Sequence, residues 1–378
     1  MINMAEYSPI SGAKIFEAIK DKDAIIMAAN VRYVPGIADG LFRAAKDADS
    51  PLIIEIARSE CNLERGYIGY TPKEFADAMQ KSADKVGFDC WALHADHIGI
   101  KKGDDADIED TKKLVKAQID AGFTSFAIDA SHIFNFDGKT AKEELQGNID
   151  ATIKIGNFIK EEMEKKGISS YGLEAEVGEI GRTDIRGFII TTPDEAVTYI
   201  TELNNAGIYP NALAIANGST HGNIYKNGRI VEQVSIDIAQ TKKIAEALRE
   251  AGLDARIAQH GITGTPLNMI KEQFPRGDII KGNVGTFWQN VVFNILKVCE
   301  GQLYDKIYNW VIQTYKTEGK SDEEIFGKNA KFALKEFFSE LNSLNPNTVK
   351  AIEAQAYASA LLFFNAFNTI GKAALARE

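Results

Sequence analysis

Two histidines and an aspartate lie within four positions of one another in the stretch ALHADHIG, residues 92–99. These residues, His94, Asp96 and His97, follow the apolar run of residues 90–93, and the chain has five histidines in all. Imidazole binds divalent ions such as Zn²⁺, Co²⁺, Fe²⁺ and Mn²⁺, and a carboxylate beside such an ion can move protons. The stretch is therefore a candidate wall of a metal-dependent active site.

Two further histidines, His221 and His260, follow other short apolar runs. Three imidazoles from three strand ends, those of His97, His221 and His260, can surround one divalent ion and leave a position open for a substrate. A three-residue offset places His94 and His97 on opposite faces of a continuing strand. We therefore predict that His97 is a metal ligand and that His94 supports it or contacts the substrate. Asp96 is expected to transfer protons.

More polar residues follow the predicted strands and complete a set at one rim. They are Asn30, Ser59, Asp129, Glu176 and Asn283. Each also has a structural explanation when it is taken alone, because a carboxylate can cap a helix or pair with a cation. Their concentration at strand ends favours a functional site, since a barrel carries its chemistry at the carboxyl ends of its strands.

Glycine and threonine cluster after the last two predicted strands, in QHGITGTP at 259–266 and GNVGT at 282–286. Loops of this kind bind phosphate through backbone N–H groups and a helix N-terminus. Tight turns alone would also explain the glycines, but the neighbouring hydroxyl groups favour an anion site. The predicted members of this site are Gly261, Thr263, Gly282 and Thr286.

Short apolar runs alternate with longer amphipathic ones and would position all of these groups. Eight runs are apolar on both faces, as the strands of a covered parallel sheet are; they span residues 24–30, 51–57, 90–95, 125–130, 171–177, 212–217, 256–260 and 279–285. Helical patterns lie between them, two of which begin with Thr-Pro-x-Glu at Thr71 and Thr192. The repeats predict an α/β fold, a (β/α)₈ TIM barrel. A two-domain doubly wound fold is the alternative, but the sequence has neither a linker nor GxGxxG after its first strand.

The remainder of the chain, residues 301–378, lacks strand-like alternation and reads as a helical C-terminal extension. We expect it to belong to the same domain as the barrel at 1–300. Its last helical segment is apolar around most of its circumference, especially near Leu361 and Phe367, and such a helix must be buried. We predict a subunit interface there, in a homodimer or a higher homo-oligomer.

Composition excludes several classes of partner. The formal net charge is −10 without a long basic run, which argues against nucleic acid or an anionic membrane as the main partner. No apolar run reaches the ~20 residues of a membrane helix, and no signal peptide is recognisable. Three cysteines at unrelated spacings form no disulfide framework. These features predict a cytoplasmic protein.

Taken together, the motifs resemble the class II, metal-dependent fructose-bisphosphate aldolases over about residues 12–300. The family pattern is HxDH after strand three, ExE-G-xxG on strand five, HG after strand six, HGGSG after strand seven and NxDT on strand eight. The matching blocks here are HADH at 94–97, EAEVGEIG at 174–181, HG at 221–222, HGITG at 260–264 and NVGT at 283–286, and SFAIDASH at 125–132 is similar to the family's SxMIDxSH.

The resemblance implies roles for these residues. His97, His221 and His260 would hold a catalytic zinc ion, and Asp129 and Glu176 would form an alternate metal position. By the same resemblance, Asp96 would exchange a proton with the substrate hydroxyl and Asn283 would contact the enediolate. The residues that would bind the ketose phosphate are Gly222, Gly261 and Thr263, and a monovalent cation could assist them.

The family places its second acid–base residue, a glutamate, on a glycine-rich loop after strand five. The corresponding position here is Asp184, in GRTDIRG at 181–187. Aspartate is one methylene shorter than glutamate, so either this loop closes further or Glu179 takes the role. The segment has glycine at both ends and is similar to a mobile lid.

The chain departs from the family pattern at several positions. Gly285 replaces the aspartate of NxDT, and Thr263 replaces the serine of HGGSG. No arginine matches the family's ligand for the distal phosphate, although Lys328 or Lys331 could substitute. The sequence therefore favours metal-dependent cleavage of a ketose phosphate, with fructose 1,6-bisphosphate as the first candidate and dihydroxyacetone phosphate and glyceraldehyde 3-phosphate as products.

Other functions remain open at this point. A metal-dependent sugar epimerase or isomerase could use the same scaffold, and a catalytically vestigial barrel could serve in binding. A Schiff-base aldolase would need a lysine in the pocket, for which Lys281 is the strand candidate. A barrel metallohydrolase is less favoured, because the first strand offers Asn30 rather than HxH.

Overall fold

The computed structural model describes residues 7–184, 187–226 and 228–378. Eight parallel strands form a closed barrel in which each strand pairs with its neighbours in the chain and the last strand pairs with the first. They are β1 (Ile26–Asn30), β2 (Leu52–Ala57), β3 (Trp91–Gly99), β4 (Ser125–Asp129), β5 (Gly172–Glu176), β6 (Ala212–Ala214), β7 (Arg256–Gln259) and β8 (Ile279–Val284). The predicted (β/α)₈ TIM barrel is confirmed, and each strand lies within or overlaps its apolar run.

One helix precedes the first strand and one helix follows each strand. They are α1 (Gly12–Ile19), α2 (Ile37–Asp47), α3 (Pro72–Val86), α4 (Asp105–Asp120), α5 (Ala141–Lys165), α6 (Pro193–Asn205), α7 (Ile238–Glu250), α8 (Leu267–Gln273) and α9 (Thr286–Cys299). Two short antiparallel hairpins lie in the loops after β5 and β6. They pair Thr183–Asp184 with Gly187–Phe188 and Ile224–Lys226 with Arg229–Val231.

The C-terminal extension is helical, as predicted. It contains α10 (Gly301–Thr314), α11 (Asp322–Asn329), a 3₁₀ segment (Ala330–Phe332), α12 (Ala333–Glu336), α13 (Phe338–Leu341), α14 (Pro346–Phe367) and α15 (Ala373–Arg377). Within the described residues, none of the helices combines the length and apolar character that a membrane span requires.

Local sequence signals account for the helix ends. Thr71 and Thr192 each accept a hydrogen bond from the backbone of the glutamate three residues later, and that glutamate accepts one from the threonine N–H in return. These reciprocal bonds are capping boxes, which satisfy two N–H groups that the first helical turn leaves free. Gly87 ends α3 with φ of +73°, a conformation that glycine adopts without strain.

Helix α1 covers the amino ends of the barrel strands. The backbone N–H of Ile10 donates to Trp91 O at 2.8 Å, and that of Gly12 donates to Thr124 O at 3.1 Å. A Cβ atom on Gly12 would lie 2.6 Å from Ser125 Cβ, so only glycine allows α1 to approach so closely. The barrel is therefore covered at this end, and a ligand has access from the carboxyl ends of the strands.

Helix α14 packs on the outside of the barrel against α2, α8 and α9. This packing accounts for its apolar character within one chain, so that character alone does not require the predicted subunit interface. The packing also explains Gly282, where an added Cβ would lie 2.8 Å from Phe367 Cζ. Gly282 was expected to bind substrate at the mouth. The position of a Cβ atom at this residue instead points towards α14, so the close packing of that helix explains why the residue is a glycine.

Gly40 in α2 provides a test of this packing. A Cβ at Gly40 would lie 2.8 Å from Ala356 Cβ and closer still to the carbonyl oxygen of Glu353 in α14. We expect Gly40→Ala to lower the free energy of unfolding by about 1–3 kcal/mol, because neither backbone can move aside without disturbing the core.

The matched control is Gly301→Ala at the start of α10, where no atom lies within 4 Å of the added Cβ. This variant should leave the free energy of unfolding unchanged or raise it by less than about 1 kcal/mol. Urea unfolding followed by circular dichroism measures both. Equal stabilities for the two variants would contradict the close contact between α2 and α14.

Candidate active site

A β-bulge in β3 sets the directions of the histidine pair. Ala95 pairs with Phe126 of β4, whereas Ile98 pairs with Ile128, so β3 contains one extra residue at this point. His97 lies in the bulge with φ of +40°, which is unusual for a residue with a Cβ atom. The expectation that His94 and His97 lie on opposite faces holds only for a regular strand. The bulge turns His97 into the mouth, while His94 stays in the interior below it.

The bulge brings His97 together with His221 and His260. The ring centroid of His97 lies 4.6 Å from that of His260 and 5.2 Å from that of His221. The centroids of His221 and His260 are 5.8 Å apart. Each imidazole offers one nitrogen such that the three nitrogens lie within 4.8 Å of one another. The three histidines that the sequence selected as ligands therefore face a common point.

The spacing of these nitrogens suits a shared ion. Two nitrogens that ligate a tetrahedral Zn²⁺ at about 2.0–2.1 Å are about 3.3–3.4 Å apart. His97 Nε2 and His260 Nδ1 are 3.2 Å apart. On the other side of the ring, His260 Nε2 faces Glu174 Oε1 at 3.5 Å. A carboxylate behind a ligand imidazole is typical of metal sites, because it orients the ring.

Acidic residues surround His97 and form a second set of possible ligands. Its Nδ1 lies 3.0 Å from Glu176 Oε2 and 3.2 Å from Asp129 Oδ2. Burial lowers the pKa of His97, but Asp96, Glu176 and Asp129 together outweigh burial and raise it well above its usual value. The site therefore favours positive charge, which a proton on His97 or a divalent cation can supply. Asp129 is itself fixed by the hydroxyl of Ser131, which donates to its Oδ1 at 2.7 Å.

Asp96 and Asn283 lie beside this cluster. The Asn283 Nδ2 donates to Asp96 Oδ1 at 3.2 Å, while Asn283 Oδ1 is buried without a hydrogen-bond partner among the described residues. Burial would raise the pKa of Asp96, but His97 and Lys281 outweigh it and lower the pKa below the ordinary value. Asp96 is thus an ionised carboxylate that can accept a proton, and its orientation is fixed by the Asn283 amide.

A buried ion cluster lies directly below these residues. Lys281 Nζ lies 2.5 Å from Glu174 Oε2, 3.1 Å from Glu55 Oε2 and 3.2 Å from His94 Nε2, and all four side chains are almost completely shielded from solvent. Burial lowers the pKa of Lys281, but Glu174 and Glu55 raise it above the usual value. A protonated lysine with several acceptors and no access to the mouth cannot form a Schiff base, so the Schiff-base alternative loses its support.

His94 belongs to this interior cluster. Its Nδ1 lies 2.6 Å from Ser125 Oγ, and its Nε2 lies 3.5 Å from the carboxylate of Glu174, which in turn faces His260. The ring is fully buried and does not line the cavity above. Of the two roles predicted for His94, the geometry fits support of a ligand and does not fit contact with substrate.

A cavity of about 640 Å³ opens above the three imidazoles. Its size suits a small organic ligand. The sequence-predicted residues that line it are Asn30, Ser59, Asp96, His97, Asp129, Glu176, Glu179, His221, Gly222, His260, Gly261, Thr263, Asn283 and Thr286. His94 and Gly282 are outside this lining, for the reasons given above. The side chain of Asp184 lies outside the described part of the chain.

Glu179 lies at the edge of the cavity on the loop that follows β5. Its Oε2 is 3.4 Å from His132 Nδ1 and accepts a hydrogen bond from Arg182 at 3.0 Å. The Arg182 guanidinium in turn lies 4.3 Å from the ring centroid of Phe136. The side chain of Glu179 is about one-third exposed, at 32%. It can therefore exchange protons with both solvent and the cavity.

Several charged and aromatic residues of the cavity wall were not predicted from the sequence. They are Arg32, Glu55, Arg58, Glu60, Tyr67 and Lys101. The sequence feature that could have indicated some of them is the charged residues directly after β1 and β2, in NVR at 30–32 and ARSE at 57–60. Two lysines were considered for the distal phosphate. Lys331 lines the cavity, whereas Lys328 lies outside the lining and its Nζ is 2.7 Å from Glu324 Oε1.

The sequence profile of the family described as "Fructose-bisphosphate aldolase class-II" matches residues 10–341. The chain belongs to this family. The match includes every strand of the barrel and the histidine cluster, and it extends into the C-terminal helices as far as α13. The match shows the family, whereas the reaction and the substrate of this chain are separate questions.

Individual relatives share only modest sequence identity with this chain. The D-tagatose-1,6-bisphosphate aldolase subunit GatZ of Escherichia coli is 32% identical over 103 residues, which are 26% of this chain and 24% of that protein. The chain thus matches about a quarter of the length of such curated relatives. Among solved structures, the fructose-bisphosphate aldolase of Campylobacter jejuni has a TM-score of 0.58 at 18% identity, covering 98% of this chain and 99% of that one. The YdjI aldolase of Escherichia coli has a TM-score of 0.56 at 19% identity, with 95% and 97% covered. These structures share the fold.

The interior ion cluster predicts a pH-dependent stability. Burial and the nearby Asp96 raise the pKa of Glu55 from its ordinary value of 4.5 to about 8, although Lys281 opposes this. The folded chain thus holds this proton up to about pH 8, whereas the unfolded chain releases it at lower pH. Stability from this proton is present below pH 4.5 and is lost as the pH rises through 8.

Glu55→Gln removes that titration and keeps an acceptor for Lys281. We expect the difference in the free energy of unfolding, variant minus wild type, to rise by about 1 kcal/mol per pH unit between pH 5 and 8. Urea unfolding of the metal-free proteins at several pH values measures the difference, with exposed Glu246→Gln as the control. Parallel stability curves for wild type and Glu55→Gln would show that Glu55 is ionised in the folded protein.

Proposed function

We propose that this chain is a metal-dependent aldolase that reversibly cleaves a ketose phosphate, with fructose 1,6-bisphosphate as the first candidate substrate. The products would be dihydroxyacetone phosphate and glyceraldehyde 3-phosphate. The observation that carries the proposal is the convergence of three imidazoles on one point next to Asp96 and Asn283. Membership of the class II aldolase family supports the reaction type.

The residues that would hold a divalent cation are His97, His221 and His260, with Asp129 and Glu176 as an alternate position. Their imidazole nitrogens suit Zn²⁺, and Co²⁺, Fe²⁺ or Mn²⁺ are further candidates. When bound, the ion would act as a Lewis acid that accepts charge from the substrate carbonyl oxygen. A monovalent cation beside the phosphate is an additional proposal, which rests on the family resemblance alone.

Asp96 is proposed to move the first proton. In the cleavage direction it removes the proton from the C4 hydroxyl, the C3–C4 bond breaks, and the C4 oxygen becomes the aldehyde carbonyl. The electron pair of the broken bond passes towards C2 and its oxygen. Asn283 supports this step in two ways, because its amide orients Asp96 and its unpartnered oxygen can accept a hydrogen bond from a substrate hydroxyl.

A second proton must reach C3 before the ketone product can leave. Glu179 is proposed as one source, because it lines the cavity and is partly exposed. Asp184 is the other, by its position in the family pattern. The remaining residues of the cavity, Asn30, Ser59, Gly222, Gly261, Thr263 and Thr286, are proposed to bind the phosphate and hydroxyl groups.

A second substrate is favoured by one comparison. The matched relative from Escherichia coli is described as a subunit of a D-tagatose-1,6-bisphosphate aldolase. Tagatose and fructose bisphosphates differ only in the configuration at C4, the carbon whose hydroxyl Asp96 would deprotonate. We therefore propose D-tagatose 1,6-bisphosphate as the second candidate for the same site.

A substrate screen tests the function. Ketose mono- and bisphosphates, including both candidates, are incubated with the Zn²⁺-loaded chain, and released dihydroxyacetone phosphate is detected by a coupled assay. We expect release that stops with EDTA and returns with Zn²⁺ or Co²⁺. Conversion of one ketose phosphate into its epimer without release would instead indicate the epimerase function. No conversion of any compound would indicate a barrel retained for binding.

Location and assembly are further proposals. We propose a cytoplasmic protein, which is supported by its three free cysteines, Cys61, Cys90 and Cys299. We also propose a homodimer or higher homo-oligomer. The outer surface of the C-terminal half supports this, since Val298 is 83% exposed and Leu362 is 59% exposed. Light scattering of the purified chain measures the subunit number.

Removal of one imidazole should abolish the metal site. We expect His260→Ala to lose stoichiometric Zn²⁺ binding, because His97 and His221 alone leave the ion with two nitrogen ligands. His132→Ala is the control, since His132 is a cavity histidine outside the cluster. Elemental analysis after dialysis measures the zinc content. Full zinc content in His260→Ala would contradict the three-imidazole site.

Asp96 should matter for turnover and not for metal binding. We expect Asp96→Asn to lower kcat by about 100-fold or more, because general acid–base catalysis contributes at least that factor. Its zinc content should stay at the wild-type level. Asp150→Asn on the exposed surface of α5 is the matched control. Wild-type turnover in Asp96→Asn would exclude Asp96 as the proton acceptor.

A further inference from the structure

Arg32 is held rigidly at the edge of the cavity. Its Nε donates to Glu60 Oε1 at 2.9 Å, and its Nη1 donates to Thr286 Oγ1 at 3.2 Å and to Gln289 Oε1 at 2.9 Å. These bonds use three of the five guanidinium N–H groups. Nη2 has no acceptor within the described ranges, and Arg32 lines the cavity. Two donors in a fixed orientation are therefore available to a ligand.

The space next to Nη2 is open because residue 285 is a glycine. A Cβ atom on Gly285 would lie 3.7 Å from Arg32 Nη2 and 3.5 Å from Asn30 Cβ, so a longer side chain would occupy this space. Asn30 also lines this space, is only 7% exposed, and has an Nδ2 that can donate to an anion. Gly285 also precedes the first residue of α9, where the N–H of Phe287 donates to Thr263 Oγ1 at 3.2 Å and that of Trp288 donates to Gly285 O at 3.0 Å. The positive end of the helix dipole still favours an anion at this position.

The charges around this space do not balance. Arg32 and Lys331 both lie near the ring of Tyr67, with 5.7 Å and 5.6 Å from their charged groups to its centroid. Glu60 is the carboxylate that pairs with Arg32, and its Oε1 also accepts a short hydrogen bond from Tyr67. The charged neighbours of Lys331 are Arg32 and Glu60. Two cations therefore face one carboxylate at this edge of the cavity, which favours an anionic ligand here.

We propose that Arg32 is a specificity-determining residue that binds the phosphate of the ketone-side fragment, in a subsite formed with Asn30, Gly285 and the N-terminus of α9. Lys331 adds charge from the C-terminal extension. The inference rests on the proposed function for the identity of the fragment. Asn283 at the end of β8 and Gly285 just after it both line the cavity, so a phosphate at Gly285 lies near the carbons that Asn283 and Asp96 face.

Two kinds of variant test the subsite. Arg32→Met combined with Glu60→Gln removes the guanidinium without leaving a buried carboxylate unpaired. Gly285→Asp keeps Arg32 and places a carboxylate beside Nη2, where it competes with the ligand. Arg249→Met, which breaks an ion pair with Asp278 on the far surface, matches the change in net charge of Gly285→Asp. Thermal melting verifies that each chain is folded.

The measurement is calorimetric titration of the full Zn²⁺-loaded chain with dihydroxyacetone phosphate and, in parallel, with dihydroxyacetone. We expect both test variants to lose about tenfold or more in affinity for dihydroxyacetone phosphate, the loss expected when a charge-assisted hydrogen bond is removed. Their affinity for dihydroxyacetone and all affinities of Arg249→Met should stay at the wild-type value.

The outcomes separate this inference from the proposed function. Wild-type affinity for dihydroxyacetone phosphate in both variants would overturn the inference, and so would equal losses for both ligands, which would indicate a structural role. Failure of wild type to distinguish the two ligands would also overturn it. Arg32-dependent phosphate binding in a chain that cleaves no ketose phosphate would support the subsite and refute the aldolase. Cleavage of a ketose phosphate with unchanged KM in both variants would support the aldolase and refute the subsite.

Discussion

A closed ring of parallel strands brings the carboxyl ends of all strands to one rim, and every feature of the site depends on this constraint. The three imidazoles come from β3 and from the loops after β6 and β7, and they are 124 and 39 residues apart in sequence, counted from His97 to His221 and from His221 to His260. No local structure could bring them together. The bulge in β3 adds the last adjustment, since it turns His97 into the mouth at the cost of a positive φ.

The interior of the barrel is a charged support for this rim. Lys281 pairs with the carboxylate of Glu174 and contacts Glu55, which keeps its proton up to about pH 8, and Glu174 bridges from Lys281 to His260. Removing Lys281 or Glu174 alone would leave a buried charge without a partner, which is more costly than the absence of the pair. The same arrangement keeps Lys281 protonated and out of the mouth. This supports the proposal that the imidazoles and Asp96 carry the chemistry of the site.

Hydrophobic patterning was sufficient to predict the barrel, because buried parallel strands are apolar on both faces and helices carry readable caps. It also placed the rim residues, since a residue that ends a strand must lie at the mouth. The bulge could not be predicted, because an extra residue leaves no mark on an apolar run. The role of Gly282 could not be predicted either, since its partner Phe367 is 85 residues further along the chain. Arg32 was missed for a similar reason, because its partners Glu60 and Thr286 belong to other loops.

The proposed function requires that imidazoles from three distant parts of the chain share one divalent ion. Crystals of the chain grown with Zn²⁺, with diffraction data collected on both sides of the zinc absorption edge, test it most directly. We expect a single anomalous peak within about 2.0–2.1 Å of one nitrogen each of His97, His221 and His260. A peak bound only by surface carboxylates, or no peak between the three rings, would contradict it.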